Sequence, residues 1–383
     1  FVMTPRNESH HDDTITVAID GNFLALPASG IGTYLRGLLD ALNADADSLG
    51  VRMHLVEPAP GRFLHPGSKQ HRFLWDAFGV AGGVLAAGNP KPDLLHLPQM
   101  SAPLSSPIPV VATIHDVIPF VMDDYRASRA MRLYLATMAR SVKKARRVIA
   151  PSRSAKADIA RVLGIPADRI RVIEEAADPS FVPGTGGSAI ALVAEKWGLT
   201  GRYLFNIGGF DRRKNLPLLI EAFAAALPSL DDDVRLVIAG APHTGNERVF
   251  PPLEPVIREH GVEGRVVLTG RVTDEERLAL YQAAHVYITP SEYEGFGLTP
   301  LEAMACGVPA IVANRTSLPE VVGDAGLCVE PTVEELLRAI VFLMTDDARH
   351  EALSRASLQR ASQFSWPRAA KETVEVYREA LDK

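Results

Sequence analysis

Short apolar runs rich in β-branched residues alternate along this chain with segments of helical periodicity. Parallel strands require crossover connections, usually helices, and parallel sheets are covered on both faces. The alternation therefore predicts an α/β protein with two doubly wound sheets. The predicted strands form two series, at 15–19, 51–56, 93–97, 110–114, 148–151 and 171–173, and then at 203–207, 234–239, 266–268, 286–289, 310–313 and 327–329.

The length of the chain supports two domains, because 383 residues are about twice a typical domain. The turn-rich stretch at 183–188, P-G-T-G-G-S, is interpreted as the linker between them. We expect one domain over residues 14–183, a second over 189–365, and a last helical segment over 366–383 with Pro367 in its first turn.

Charge and composition exclude several classes of protein. The formal net charge of −6 argues against a nucleic-acid binder that relies on phosphate contacts. No stretch reaches the roughly 18 uninterrupted apolar residues of a membrane-spanning helix.

Cys306 and Cys328 are the only cysteines and lack metal-ligand spacing, so we expect a reducing, cytoplasmic setting. The D-x-D patterns at 45–47 and 231–233 are interpreted as solvated turns, and no metal site is predicted.

The stretch at 291–309, S-E-Y-E-G-F-G-L-T-P-L-E-A-M-A-C-G-V-P, has the pattern of a turn that leads into a helix. Gly295 and Gly297 allow a ligand to approach the backbone closely. Thr299 is predicted to be the N-cap and Pro300 the first helical residue, which puts Glu302 at the third position of a helix of under two turns. The free N–H groups of such a helix start suit a phosphate. The alternative is a capping box between Thr299 and Glu302 with no ligand.

This stretch also resembles a known family. The run E-G-F-G-L-T-P-L-E-A-M-A-C-G-V-P-A-I-V-A is similar to the E-x7-E signature of retaining glycosyltransferases of family 4. The resemblance implies the GT-B fold, in which two Rossmann-like doubly wound domains face each other across a cleft and the last helix crosses back to the first domain. It also implies a nucleotide-sugar donor, a metal-independent reaction and no further cofactor.

Two cations are predicted to hold the diphosphate of that donor. Arg213 and Lys214 follow a predicted strand on its ligand side, where a planar guanidinium and a point charge can both bind a diphosphate. The resemblance places an arginine–lysine pair in this loop. Lys214 matches that pair well, whereas many members carry the arginine where this chain has Gly209.

Further donor contacts are implied by the resemblance. Glu294 would contact the donor sugar, Glu302 the ribose hydroxyls, and the backbone of Arg271 and Val272 the base. The remaining donor-binding positions belong to the turn and the helix start: Gly295, Phe296, Gly297, Leu298 and Thr299.

Several residues of the first series also come directly after predicted strands. His115 is either a solvated or capping residue or, as the resemblance implies, a contact of the donor 6-hydroxyl. Gly32 matches a family position that meets the diphosphate, although its G-x-G pattern is by itself typical of a plain turn. Asp20, Asp116 and Ser152 are predicted to be acceptor contacts or structural residues, and Ser152 also fits a helix N-cap.

From Arg126 to Arg147 the chain has eight basic residues and no acidic one, interleaved with apolar residues. This pattern predicts a basic amphipathic helix. Such a helix either lies on an anionic membrane surface, here the inner face of the cell membrane, or is a solvated helix packed by its apolar side.

The motifs together predict a hexosyltransferase. S-G-I-G-T-Y, V-V-A-T-I-H-D-V-I-P and R-R-K-N-L resemble bacterial family members that extend surface polysaccharides, many of which use GDP-mannose. Mannosyl transfer from GDP-mannose to a saccharide or polyprenyl-linked acceptor is therefore the leading prediction. A UDP-sugar-dependent glucosyl- or N-acetylhexosaminyltransferase, or a noncatalytic nucleotide-sugar-binding protein, are the alternatives. A dehydrogenase is disfavoured because neither half has G-x-G-x-x-G after its first strand.

Overall fold

The computed structural model describes residues 14–24, 30–57, 74–126, 128–185, 187–241 and 247–382. The first half contains β1 (Ile15–Asp20), α1 (Gly30–Ala44), α2 (Ala46–Leu49), β2 (Val51–Val56), α3 (Val80–Ala86), β3 (Leu94–Leu97), β4 (Val110–Thr113), α4 (Ile118–Val121), α5 (Arg129–Val142), β5 (Arg147–Ala150), α6 (Arg153–Asp158) and β6 (Ile170–Val172). The second half contains α7 (Ser188–Trp197), β7 (Tyr203–Ile207), α8 (Leu216–Ala226), β8 (Arg235–Ala239), α9 (Glu254–Glu259), β9 (Val266–Gly270), α10 (Asp274–Ala283), β10 (Val286–Thr289), α11 (Leu298–Ala305), β11 (Ala310–Ala313), α12 (Leu318–Val322), β12 (Leu327–Val329), α13 (Val333–Thr345), α14 (Asp347–Ala361) and α15 (Trp366–Leu381).

The strands form two parallel sheets of six, in the orders β2-β1-β3-β4-β5-β6 and β12-β11-β10-β7-β8-β9. Every predicted strand is present, with ends that agree to within two residues, so the predicted α/β fold class is confirmed. The strand order reverses between β1 and β3 in the first sheet and between β7 and β10 in the second. Such switch points open a crevice at the carboxyl ends of the strands, where ligands of doubly wound sheets bind.

Helices cover the sheets, as the alternation predicts. The inner strands β3, β4, β10 and β11 are buried at every residue, because apolar side chains point to both faces. Leu35 and Leu38 of α1 and Leu219 of α8 are fully buried. Each such leucine stabilises the fold by about 1.5–3 kcal/mol relative to an exposed one. The result is a rigid support for the loops that follow the strands.

The last helix, α15, packs against the first half of the chain. Ser365 is its N-cap and accepts a hydrogen bond from the N–H of Arg368, and Pro367 lies in the first turn, as predicted. Trp366 fills the space beside Gly37 of α1, where an added Cβ would lie 2.2 Å from the indole. Tyr377 shares a 2.7 Å hydrogen bond with His96 of β3. α15 therefore ties the end of the chain to the first sheet.

Two local predictions are wrong. α11 begins at Leu298 rather than Pro300, with Gly297 as its N-cap, so Thr299 does not cap it and the helix has eight residues. No capping box forms, because Thr299 Oγ1 accepts from Tyr287 and Glu302 Oε2 accepts from Tyr281. Buried tyrosine hydroxyls thus determine the orientation of both side chains.

The interpreted linker is also shorter than predicted. Ser188, its last residue in the sequence-based interpretation, is already the first residue of α7, with Gly187 before it in a left-handed conformation. Gly186 lies outside the described residues, as does Ser29 of the S-G-I-G-T-Y motif.

Candidate active site

Glu294, Arg213 and Lys214 form a largely buried ion cluster at the switch point of the second sheet, with side chains that are 14%, 19% and 8% exposed. Lys214 Nζ donates to Glu294 Oε1 at 2.7 Å, and Arg213 Nη1 donates to Glu294 Oε2 at 2.7 Å. The two cations lie in a single helical turn after β7, whereas Glu294 lies in the loop after β10. Because β7 and β10 are adjacent strands, their carboxyl ends bring the three predicted residues together.

The charges in this cluster depend on one another. Burial alone would raise the pKa of Glu294, but the charges of Arg213 and Lys214 outweigh it and lower the pKa to about 2. Glu294 is therefore ionised throughout the physiological range. Removing one partner of a buried ion pair leaves an uncompensated charge, at a cost of about 3–5 kcal/mol. The cluster is consequently sensitive to any change of charge within it.

Arg213 is held by two further acceptors. Its Nη1 also donates to the carbonyl of Tyr293 at 3.1 Å, and its Nε lies 3.0 Å from Asp211 Oδ1. Asp211 is buried and directly precedes the run of cations. Sequence reasoning missed Asp211, because an acidic residue beside three basic ones has the pattern of ordinary charge balance on a surface. The guanidinium thus contacts Glu294 and Tyr293 through Nη1, and Asp211 through Nε.

The loop that carries Glu294 is fixed through its backbone by the turn after β11. Glu294 N–H donates to Thr316 Oγ1 at 3.0 Å, and Ser317 Oγ contacts the carbonyls of Glu294 and Phe296 at 3.0 and 2.5 Å. Thr316 has a φ of 48°, which is unusual for a β-branched residue. Sequence reasoning missed both hydroxyl residues, whose only signal is their position after a predicted strand.

Gly295 and Gly297 are required by the backbone geometry of this loop. An added Cβ on Gly295 would lie 2.0 Å from the carbonyl oxygen of His115, so only glycine fits between the two loops. Gly297 has a φ of 122°, a conformation that L-residues rarely adopt. The group that approaches the backbone at Gly295 is the carbonyl of His115, whereas the predicted approach of a ligand stays a prediction.

His115 follows β4 and is bonded through both ring nitrogens. Nδ1 lies 2.8 Å from Glu175 Oε1, and Nε2 lies 3.1 Å from the carbonyl of Pro98. Burial lowers the pKa of His115, but the bond and charge of Glu175, together with Asp116 and the Pro98 carbonyl, outweigh burial and raise it. Because the Glu175 carboxylate and the Pro98 carbonyl are both acceptors, these contacts favour the protonated imidazolium form of His115.

Asp116 and Asp20 have structural partners. Asp116 Oδ1 accepts from the N–H of Ile118 at 2.9 Å. Burial raises the pKa of Asp116, although the Ile118 bond and the charge of Arg213 oppose this. Asp20, the last residue of β1, accepts at Oδ1 from Trp75 Nε1 at 2.9 Å. The charge of Arg213 lowers the pKa of Asp116, so this carboxylate interacts electrostatically with the ion cluster.

Ser152 joins the first half of the chain to the glycine loop. Its Oγ donates to the carbonyl of Gly295 at 2.8 Å and accepts from the N–H of Ala155 at 2.9 Å. The N-cap interpretation of Ser152 is therefore confirmed. Nearby, the N–H groups of Arg153 and Ser154 at the start of α6 donate to the two carboxylate oxygens of Glu320 in α12. Both contacts connect opposite halves of the chain.

Glu302 lies in a separate, less polar position on α11. Its Oε2 accepts from Tyr281 at 2.8 Å, and its Oε1 lies 3.6 Å from Arg277. Burial raises the pKa of Glu302 to about 7, because the opposing effects of Arg277 and Tyr281 are weaker than the loss of hydration. This carboxyl is therefore close to half-protonated at neutral pH.

The other predicted donor contacts are placed as follows. Gly32 is buried in the first turn of α1. Phe296 packs edge-on against Phe364, so its side chain belongs to the core. Arg271 and Val272 follow β9, which β8 separates from β7. Leu298 and Thr299 are the first two residues of α11. Among the described side chains, no hydrogen bond or ion pair joins Arg271 or Val272 to the ion cluster.

Comparison with known families and proteins agrees with this arrangement. Residues 28–181 match the family described as Glycosyltransferase Family 4, and residues 193–360 match Glycosyl transferases group 1. The chain is 32% identical over 270 residues to the O-antigen chain mannosyltransferase B of Escherichia coli, covering 70% of each protein. The chain belongs to glycosyltransferase family 4.

Two other relatives of this family 4 protein are covered less completely. It is 29% identical over 280 residues to the serotype-specific mannosyltransferase WbdA of Escherichia coli, which is 72% of the chain and 34% of WbdA. It is 32% identical over 254 residues to the D-inositol 3-phosphate glycosyltransferase of Salinispora tropica, which is 63% of the chain and 52% of that enzyme. The chain thus spans about a third and about half of these two proteins. The predicted class, a hexosyltransferase, is confirmed by the family match.

Solved structures show the same fold. The sucrose-phosphate synthase of Thermosynechococcus elongatus superposes with a TM-score of 0.73 at 22% identity, over 95% of this chain and 98% of that one. HepE of Anabaena, crystallised with UDP and glucose, superposes with a TM-score of 0.72 at 18% identity, over 95% of this chain and 99% of that one. The predicted GT-B architecture is confirmed by these similarities.

The acidic patterns do not approach this site. Asp45 and Asp47 are exposed, and so are Asp231, Asp232 and Asp233. Within the residues that the structure describes, no three His, Cys, Asp or Glu side chains come together as a metal site would require. None of the helices in the described ranges has both the length and the apolar character needed to cross a bilayer.

Proposed function

We propose that this family 4 enzyme transfers mannose from GDP-mannose, with retention of configuration and without a metal ion, to a saccharide or polyprenyl-linked saccharide. The observation that carries the proposal is the cluster of Arg213, Lys214 and Glu294 beside the N-terminus of α11. The buried Lys214, the partly buried Arg213 and a helix start provide the positive charge that a diphosphate needs. A neighbouring carboxylate provides acceptors for sugar hydroxyls.

Each member of the cluster has a distinct part in the proposed reaction. Lys214 uses one of its three donors on Glu294, and the others remain for a phosphate oxygen. Arg213 and Lys214 stabilise the negative charge that develops on the departing diphosphate. Glu294 accepts hydrogen bonds from the donor sugar, and Glu302 accepts from the ribose hydroxyls. The leaving phosphate takes the proton of the acceptor hydroxyl on the same face of the sugar.

The first half supplies His115 and the acceptor side. The His115 imidazolium is positioned by Glu175, and a donor hydroxyl replaces the Pro98 carbonyl at Nε2. Its positive charge also favours the phosphate. Contacts such as the bond from Ser152 to Gly295 hold the halves together around the reacting groups. Exclusion of water from this space favours transfer over hydrolysis.

Mannose is favoured by the similarity to the O-antigen chain mannosyltransferase B of Escherichia coli, which extends over 70% of each protein. The similarity to the D-inositol 3-phosphate glycosyltransferase supports a second candidate function. In it, the enzyme uses a donor other than GDP-mannose, such as a UDP-sugar, or a different acceptor, and the ion cluster has the same role. The base is recognised through backbone groups near Arg271 and Val272 in this proposal. Backbone recognition leaves little trace in side chains, which is why the donor needs a direct test.

The test is a thermal-shift comparison of GDP, UDP, GDP-mannose and UDP-glucose at equal concentration. A ligand that binds the native state raises the apparent stability by RT ln(1 + [L]/Kd). We expect GDP and GDP-mannose to raise the melting temperature more than the uridine compounds. A larger shift with UDP and UDP-glucose would contradict the proposed donor and favour the second candidate.

The basic helix α5 is proposed to lie against an anionic membrane surface that carries a polyprenyl-linked acceptor. Arg129, Arg132 and Leu133 are exposed, whereas Leu135 and Met138 pack inward. At the end of the basic segment, Arg147 pairs with Glu379 of α15 and is not available to lipid. Exposed arginines with an exposed leucine directly after them suit a lipid headgroup region.

A further inference from the structure

Two tyrosine–aspartate hydrogen bonds join the halves of the chain within the described residues. Tyr125, in the single turn Asp123–Arg126 before α5, donates to Asp211 Oδ1 at 2.6 Å. Tyr293, in the loop after β10, donates to Asp158 Oδ2 at 2.6 Å. The two bonds are alike in length and chemistry. They differ because Asp211 also contacts Arg213 of the ion cluster.

The Asp211 oxygen that accepts from Tyr125 is the same oxygen that lies 3.0 Å from Arg213 Nε. Asp211 is 8% exposed, so little water competes for this oxygen. Burial and the bond to Asp211 raise the pKa of Tyr125, so the phenol stays protonated and donates. A continuous path of two hydrogen bonds and one ion pair therefore runs from Tyr125 through Asp211 and Arg213 to Glu294.

Arg213 approaches Glu294 by Nη1 and Asp211 by Nε, so the orientation of the guanidinium depends on where the Asp211 carboxylate points. With Tyr125 in place, Asp211 Oδ1 lies between the Tyr125 hydroxyl, which donates to it, and the charged Arg213 Nε. Without that hydroxyl, the carboxylate can rotate and the guanidinium with it. An exposed ion pair between Arg212 and Asp124, at 3.6 Å, holds the same two turns together beside this path.

We propose that Tyr125 and Asp211 are positioning residues for Arg213, and that Tyr125 fixes the guanidinium when the two halves of the chain meet. The inference rests on the proposed function, in which Arg213 stabilises the departing diphosphate. Nucleoside diphosphate binding to the second half does not require Tyr125, whereas transfer does. The loss of Tyr125 therefore reduces turnover while leaving nucleotide affinity in place.

The experiment compares Tyr125→Phe with the matched control Tyr293→Phe, each made in the wild type and in Arg213→Lys. The readouts are nucleotide release from GDP-mannose, UDP-glucose and UDP-N-acetylglucosamine, and the Kd of GDP and UDP by calorimetry. In the wild type, Tyr125→Phe lowers kcat about five- to tenfold, as expected for one buried hydrogen bond. The Kd of the nucleotide stays within about twofold.

The Arg213→Lys background shows whether Tyr125 acts by positioning Arg213 or only by holding the two halves of the chain together. Mutations that act through the same residue are not additive, so a positioning effect disappears once Arg213 is replaced. There Tyr125→Phe has no further effect, while Tyr293→Phe has the same effect as in the wild type. Equal losses for the two tyrosines in both backgrounds, or full activity of Tyr125→Phe, would overturn the inference.

The donor specificity of the wild type tests the proposed function separately from the positioning role of Tyr125. If the wild type releases nucleotide from UDP-sugars alone, the proposed donor is wrong, and the positioning test is carried out on the donor that is used. If Arg213→Lys has full wild-type turnover, the proposed role of Arg213 is wrong and the positioning inference falls with it, whereas the proposed donor is unaffected.

Discussion

Gly295 faces the carbonyl oxygen of His115 so closely that a Cβ on Gly295 would lie 2.0 Å from it. Both partners are backbone, so neither can rotate away as a side chain would. Loops from opposite halves of the chain are therefore in direct contact at the position where the donor sugar and the acceptor are proposed to meet.

Gly295→Ala should consequently block this approach. We expect transfer to fall at least a hundredfold, because at least about 3 kcal/mol of transition-state stabilisation is lost when the halves cannot close. Nucleotide binding should persist, since the cluster lies in the second half. Gly264→Ala is the control, because a Cβ there meets no atom within 4 Å. Normal turnover by Gly295→Ala would show that this contact is not part of the reactive arrangement.

Lys214→Ala should weaken the binding of GDP, whereas Glu294→Ala should abolish transfer and leave GDP binding in place. Removing Lys214 takes away a charged donor to the diphosphate, so the Kd of GDP should rise about tenfold or more. Removing Glu294 takes away the proposed sugar contact, so transfer should be lost while GDP still binds. Calorimetry with GDP and a transfer assay distinguish the two. The reverse pattern would refute these roles.

Glu302 should make the stability of the enzyme depend on pH in an unusual direction. Its pKa is raised from 4.5 to about 7 in the folded protein, so the folded state holds a proton that the unfolded chain has released between these values. The free energy of unfolding should therefore decrease as the pH rises through this window, by up to about 3 kcal/mol, with the loss complete above it.

Denaturation at pH 5 and pH 8 measures this effect. Glu302→Gln, which cannot ionise but can still accept from Tyr281, should show a smaller decrease between the two pH values than the wild type. Glu335→Gln, at an exposed position of α13, should behave as the wild type. An unchanged pH dependence in Glu302→Gln would mean that this carboxyl is already ionised at neutral pH.

Charge reversal on α5 tests the proposed membrane surface. Arg129→Glu with Arg132→Glu should abolish retention on liposomes that contain anionic lipid at low salt, because each basic residue near such a surface contributes about 1 kcal/mol. Arg355→Glu, exposed on α14, is the matched control. Equal retention of the wild type on neutral and anionic liposomes would argue for a helix that is merely solvated.

Much of the fold could be predicted because its signal is local. The apolar strands are short, buried on both faces and separated by helical segments, so each one is visible in its own sequence. Arg213 and Lys214 could be predicted as site residues from their position after a strand, and Glu294 from the resembling motif. That the three form one cluster follows from the pairing of β7 with β10, which the sequence does not show.

What the sequence did not reveal depends on contacts between distant segments. The start of α11 was misplaced because tyrosines from β10 and α10 bind Thr299 and Glu302, and a capping pattern cannot show that. Both nitrogens of His115 are bonded to protein groups, one of them Glu175, which lies 60 residues away. Asp211 and Tyr125 were overlooked because their importance arises from a single shared oxygen.

The most direct test of the central proposal is the reaction of the enzyme with GDP-mannose in the presence of EDTA. Release of GDP is measured with and without a polyprenyl-linked saccharide, and the new linkage is assigned by NMR. The account predicts GDP release that the acceptor stimulates, an α-linked mannose as in the donor, and no transfer by Glu294→Ala. Release of nucleotide from UDP-sugars alone, or an inverted linkage, would contradict it.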